Sequence, residues 1–229
     1  MFRTLLLASA TAATLLITGC AGVPQAFVDD GERVTPQSKP VFLMTTTLRN
    51  DYHPSFEPRA LFIVLEKENP GGKPDHLVFK MDQRSVLAQD DAATGNKYVL
   101  RLPLEPGHYD MVQIYAQASH FPIIGQFWTP LHESFDVKPG GAVYYLGHVE
   151  ASVRERQGDE FRAGLMIPLI DQAVAGASGG TWDVAITDAL DVDEPVLRGK
   201  FVALNGLVIQ KAVLAPFDRA RAQAWWVAN

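Results

Sequence analysis

Cysteine is almost missing from this chain: Cys20 is the single thiol in 229 residues. One cysteine excludes an intramolecular disulfide and a thiolate metal cluster. Long apolar runs are scarce as well. Near the N-terminus the stretch Leu5 to Ile17 is almost wholly apolar or small, but its 13 residues fall short of the roughly 20 that a helix needs to cross a bilayer. A permanent transmembrane helix is therefore disfavoured. Basic residues are outnumbered, with 20 Lys and Arg against 26 Asp and Glu and a formal net charge of −6. That balance argues against a nucleic-acid partner and gives little electrostatic grip on anionic lipid. What remains, 47% hydrophobic and 20% charged residues, is the composition of an ordinary folded domain.

Patterns that carry chemistry are equally thin. The six histidines stand at positions 53, 76, 108, 120, 132 and 148, and no two share the i, i+2 or i, i+4 spacing that pairs ligands on one strand or helix face. No S-x-x-K signature is present, and Ala177-Ser178-Gly179-Gly180 reads as a flexible loop of small residues. Gly71-Gly72 and Gly140-Gly141 lack the context of a phosphate loop and read as turns. The acidic run Asp183, Asp188, Asp191, Asp193, Glu194 could offer oxygens to calcium, but it lacks the glycine and closing glutamate of the calcium loop, so a solvated loop before a helix is expected. These readings point to a protein that is not an enzyme and has no catalytic residue, metal site or cofactor.

The N-terminus is more informative. Arg3 followed by the apolar run and Thr18-Gly19-Cys20 has the charged, apolar and small-residue layout of a secretory signal. Ile17-Thr18-Gly19-Cys20 resembles the lipobox of bacterial lipoproteins. That resemblance implies a diacylglycerol on the Cys20 sulfur, cleavage before it, and an added N-acyl chain. Several acyl chains, each buried CH₂ contributing about 0.8 kcal/mol, anchor stably where one does not. Removing residues 1–19 also removes Arg3, leaving 19 basic against 26 acidic residues and a net charge of −7. Ala21 stands where an Asp would imply retention in the inner membrane, so the resemblance implies the outer membrane, facing the periplasm. Residues 20–40, with three prolines and mixed charge, read as a lipidated flexible tether, and 41–229 as one folded domain.

From Val41 onward, short segments rich in β-branched and aromatic residues alternate with Pro, Gly, Asn and Asp, which predicts a mainly β fold. Strands are expected at 41–49, 60–67, 76–81, 97–102, 109–117, 133–137, 142–154, 160–167 and 181–187. Pro106-Gly107 and Pro139-Gly140 each place a residue with φ fixed near −65° before one that accepts positive φ, as a type II turn requires. Alternation in Tyr109–Ala116 is blurred only by Val112. These turns and Tyr144-Tyr145-Leu146-Gly147 resemble a pattern of transthyretin-like and carboxypeptidase-regulatory-like domains, over residues 97–150. The resemblance implies an Ig-like or transthyretin-like antiparallel β-sandwich and says almost nothing of function.

The C-terminal third allows two readings. Asp193-Glu194-Pro195 starts a helix well, whereas Asn205-Gly206 between apolar residues is a hairpin signal. A helix at 194–204 capped by Gly206, a strand at 207–213 and final helical turns in Phe217–Trp226 are favoured, so one or two short C-terminal helices complete the sandwich. Phe121–Pro130, carrying Phe127 and Trp128, reads as a loop that either plugs one end of the sandwich or presents an apolar surface. Trp225 and Trp226 pose the same choice, docking on the sandwich or forming a partner-binding tail. The resulting expectation is a lipid-anchored envelope protein that binds or scaffolds another envelope component. A glycan-binding module, with Trp128, Phe127 or Trp182 stacking on sugars, is the alternative, and a hydrolase with a dispersed site is a further one.

Overall fold

The computed structural model describes residue 26 and residues 33–89, 93–165 and 174–229; Cys20 lies outside them. Ten strands form two facing sheets: β1 (Val41–Asn50), β2 (Arg59–Lys67), β3 (Asp75–Lys80), β4 (Val86–Ala88), β5 (Asn96–Pro103), β6 (Gly107–His120), β7 (Ile123–Val137), β8 (Val143–Glu155), β9 (Gly180–Thr187) and β10 (Ile209–Lys211). Two helices, α1 (Leu190–Lys200) and α2 (Arg219–Ala228), follow β9. The chain is a mainly β sandwich with two short C-terminal helices.

One sheet has the order β3-β2-β6-β7 and is antiparallel throughout. The other runs β10-β8-β1-β5-β4, with β9 sharing the β8 edge that β10 uses lower down. This second sheet is mixed rather than wholly antiparallel, because β1 and β10 both run parallel to β8. The two Pro-Gly turns join β5 to β6 and β7 to β8, so each carries the chain from one sheet to the other, with Gly107 and Gly140 at φ of 153° and 102°.

Burial explains the strand grammar. Alternate residues of β1 (Phe42, Met44, Leu48) enter the core between the sheets with Ile63, Leu65, Ile114, Phe127, Leu100 and Trp182. Val41 and Leu43 point to the opposite face, where α1 covers them with Leu190 and Leu197 and the following turn adds Phe201 and Leu204. Both faces of β1 are thus covered, and its sequence VFLMTTTLRN reads as a continuous run instead of an alternation.

Several local expectations change. Phe121–Pro130 is not a loop; Ile123–Val137 is one long strand paired with β6 from Gly107↔Val137 to His120↔Ile123. Its aromatics alternate across the sheet like any strand's. Residues 160–165 form no ladder strand; instead Trp128 N–H donates to Ala163 O and Ala163 N–H to Gly180 O, so the segment bridges the two sheets and covers the β7 edge. Residues 166–167 of that expected strand lie outside the described residues. Helix α1 starts four residues before the expected Glu194 and stops at Lys200, with Asp191 and Asp193 in its first turn and Arg198 and Lys200 in its last, the signs the helix dipole favours. Gly206, at φ 81°, belongs to a turn two residues beyond the short 3-10 segment Val202–Leu204. The expected strand at 207–213 pairs over Ile209–Lys211 and continues as the bonds Ala212 N–H to Tyr145 O and Leu214 N–H to Leu146 O. The final helix forms as expected, with the Asp218 carboxylate accepting from Arg221 N–H at 3.0 Å.

Ala26, inside the segment expected to be a tether, is fully buried. Its N–H donates to Lys80 O and its carbonyl accepts from Arg101 N–H, both at 2.8 Å, so it ties β3 of one sheet to β5 of the other. Val34 packs on the α1 core, and Ser38 N–H closes a turn onto Thr35 O. The folded unit therefore takes hold of the chain six positions after Cys20.

An ion-pair network fastens α2. Arg154 meets Glu160 at 2.6 Å and Asp183 at 3.0 Å, while Arg219 of α2 reaches Glu160 at 3.3 Å and Asp183 at 2.6 Å. Hydrogen bonding from Arg154 is the main influence holding the Glu160 carboxyl down at about 2, below its ordinary 4.5. A depressed acid stabilises the fold above its unfolded pKa and loses that contribution as pH falls toward the folded value. Acid titration from pH 4.5 to 2 is expected to loosen α2, read as a rise in Trp225 and Trp226 solvent exposure. In Glu160→Gln that part of the transition disappears; an unchanged acid profile would show that the network does not hold the helix.

Candidate functional site

The outer face of the four-stranded sheet carries a row of aromatic side chains. Register places Phe62 of β2 opposite Tyr115 of β6, and Tyr115 opposite Trp128 of β7. Their neighbours in sequence, Ile63, Ile114, Ala116 and Phe127, are fully buried between the sheets, so strict alternation turns these three rings outward. Ring centroids are 6.0 Å apart for Phe62 and Tyr115 and 6.4 Å for Tyr115 and Trp128. All three are half-buried, and burial pushes the Tyr115 phenol pKa up. Gln113 and Gln117, also outward on β6, flank the ridge with amide donors and acceptors.

At one end the ridge runs under α2. Trp128, Pro130, Trp225 and Trp226 line a small apolar hollow with Ala222 and Phe161. Trp226 packs on the main core, whereas Trp225 stays 36% exposed with its ring 5.0 Å from that of His132. His132 occupies the left-handed region, at φ 53°, where β7 bulges between Pro130 and Glu133. The bulge sits opposite Val112, the residue that blurs the alternation of β6. Burial depresses the His132 pKa, with Arg221 adding to the effect, so the ring is neutral at physiological pH. The Trp128 indole N–H and His132 Nε2 are both buried and meet no hydrogen-bond partner among the described residues. A buried donor without an acceptor is costly.

The expected site residues therefore separate. Phe127 is fully buried, edge-on to Trp182 at 6.0 Å, and Trp182 is fully buried too, so neither can stack on a ligand. Trp128, Trp225 and Trp226 come together at one end of the ridge. Phe62 and Tyr115 are missed by sequence reasoning, because only the pairing of β2 with β6 brings them into line with Trp128.

A second polar cluster lies on the other sheet, beside α1. A bulge at Gly147, whose φ is 113°, inserts one residue into β8 and returns His148 to the outward face next to Thr45. The Thr45 hydroxyl donates to Asp193 of α1, so its oxygen accepts from His148 Nδ1–H at 2.8 Å. Tyr145 also donates to Asp193, at 2.5 Å. The cluster opens on a cavity of about 550 Å³ that Lys97, Glu150 and Arg49 also line. Burial lowers the His148 pKa, leaving a neutral ring. Thr45 is committed to Asp193, and Thr47 stands 3.5 Å from Nε2, at the outer limit of a hydrogen bond.

Three other members of the expected calcium run pair with cations, Asp183 with Arg154 and Arg219, Asp188 with Lys211, and Glu194 with Arg198, while Asp191 lies in the first turn of α1. Among the described residues no group of three or more His, Cys, Asp or Glu is placed to hold a metal ion. The letters G-x-S-x-G occur at Gly176–Gly180, where the sequence reads as a loop. A nucleophile elbow needs a strand before the serine and a helix after it. Ser178 instead sits in a turn that leads into β9, its carbonyl accepting from Arg162.

No family model matches the chain, and no curated protein or solved structure does either.

Proposed function

We propose that this protein is a lipid-anchored, non-enzymatic envelope protein, held on the outer membrane facing the periplasm, whose Phe62–Tyr115–Trp128 ridge binds another envelope component. The anchor rests on the Ile17–Cys20 pattern. Binding rests on one observation: three outward aromatic rings in register across three strands, extended by the tryptophans of α2. Aromatic residues so placed supply large contact area at small entropic cost and dominate the energetics of recognition.

A photo-reactive residue at position 115 is expected to capture a partner in intact cells, and one at the exposed Val208 is not. Changing Phe62 and Tyr115 to Ser is expected to weaken binding by about 10-fold or more, the loss of one interface hot spot of roughly 1.4 kcal/mol or above. Capture from position 208 alone, or unchanged binding by the double variant, refutes the ridge.

Glycan binding is the second reading, favoured by the Gln113 and Gln117 amides beside the rings, since sugars offer an apolar face to stack and hydroxyls to hydrogen-bond. Titration with soluble envelope glycans, with Tyr115→Ser as control, separates it from a protein partner.

A further inference from the structure

Strands β6 and β7 form the longest hairpin of the fold, and its tip is apolar and bare. Phe121 is 94% exposed and Ile124 46%, with Pro122 between them. From Ala118 to Gly125 the sequence ASHFPIIG carries no Asp, Glu, Lys or Arg. A phenylalanine this exposed gains nothing from water and has no pocket of its own. Beside the tip lies a polar hollow of about 390 Å³ lined by Ser55, Glu57, Arg59, Gln117 and Ser119, where Glu57 accepts from Asn50 N–H.

The occupant follows from chain length and connectivity. Ala26 is bonded to Lys80, and Lys80 stands in the row Lys80–Phe62–Tyr115. Phe121 lies six residues beyond Tyr115 along β6, about 20 Å further at the rise of a strand. Cys20 is six residues before Ala26, a chain length that also spans at most about 20 Å. An acyl-anchored Cys20 therefore keeps the sandwich within a short reach of the bilayer and lets the hairpin tip lie in the same plane as the anchor.

We propose that the β6–β7 tip, through its exposed Phe121, Pro122 and Ile124, is a second membrane contact that dips into the headgroup region and fixes the orientation of the domain, with a zwitterionic headgroup in the hollow beside it. The net negative charge of the chain suits a zwitterionic headgroup better than an anionic one. The positional argument rests on the acyl anchor proposed above; the exposed tip does not.

An acylated Cys20 has no free thiol, so Phe121→Cys supplies the single site for a fluorescent label on the full chain. Reconstituted in phosphatidylethanolamine-rich vesicles containing a bromolipid, the label at 121 is expected to be quenched severalfold more than one introduced by Val208→Cys near the opposite end of the sandwich. Adding Ile124→Asp is expected to bring quenching at 121 down toward the level at 208. Equal quenching at 121 and 208 overturns the proposal. Two labels per chain by mass spectrometry refute the acyl anchor instead, and quenching measured on the Cys20→Ser chain mixed with the same vesicles then decides the tip by itself.

Discussion

Trp182→Ala is expected to cause the largest loss of stability that a single core substitution produces in this fold. The side chain is fully buried and is the largest wholly buried one among the described residues. Its indole N–H donates to Ala163 O at 3.0 Å, and its ring meets Phe127 at 6.0 Å near a right angle. The Ala163 carbonyl belongs to the segment that seals the β7 edge, and Trp182 O accepts from Arg219 of α2. Trp182 therefore joins the inter-sheet core, the covered edge and the C-terminal helix. Truncating a buried tryptophan to alanine costs about 3–5 kcal/mol. For a domain of this size that lowers Tm by about 10 °C, at roughly 2–4 °C per kcal/mol. Trp182→Phe keeps most of the volume and removes one of the two donors to Ala163 O, which still accepts from Trp128 N–H, so a smaller loss is expected, on the order of 0.5–1.5 kcal/mol. Differential scanning calorimetry measures both. If alanine and phenylalanine destabilise equally, the hydrogen bond dominates and the packing argument is wrong; if neither lowers Tm, the ring is not part of the cooperative core.

The elements legible in the sequence are those whose cause is local. β6 and β8 announce themselves by β-branched and aromatic content with a Pro-Gly turn ahead, and the helical end of the chain follows from Asp218 capping Arg221 N–H. β1 was expected from its Val, Leu and Thr content, although only α1 explains why it shows no alternation. The long extent of β7 was not legible, because Pro122, Gly125 and Pro130 interrupt the pattern. Pairing tolerates them, with Pro122 outside the strand and Pro130 beside the bulge at His132. Residues 160–165 carry a strand composition, and the backbone does extend between two edges, but each sheet takes only one or two bonds from it.

The site divides in the same way. Trp128 and the terminal tryptophans could be singled out because large aromatics near loops and ends are conspicuous. Phe62 and Tyr115 sit in ordinary-looking strands, and no local signal distinguishes an outward aromatic from an inward one until register is known. His148 illustrates the point most sharply. Plain alternation from Tyr145 would send it into the core, and a single inserted glycine sends it out beside Thr45 and Asp193, residues 103 and 45 positions away.

Cys20→Ala is expected to have the largest functional effect, because the proposed anchor is all or none. With the cysteine acylated, the chain fractionates with membranes, and its N-terminal peptide carries diacylglycerol and a further acyl chain. Alanine offers no sulfur for the thioether, and the apolar run before it, 13 residues long, is too short for a stable span of a hydrocarbon core that takes about 20. Membrane retention is therefore expected to fall by orders of magnitude, since two or more acyl chains separate stable anchoring from marginal, reversible binding. The fold predicts what survives. Ala26 is tied to Lys80 and Arg101 whatever precedes it, so a variant chain starting near Ala21 should keep its Tm and the Phe62–Tyr115–Trp128 ridge. If such a soluble form still captures the partner at position 115 in vitro but not in cells, tethering acts by local concentration. An unmodified Cys20 in wild-type membrane fractions, by mass spectrometry, would falsify the anchor and leave the ridge as that of a diffusible binding protein.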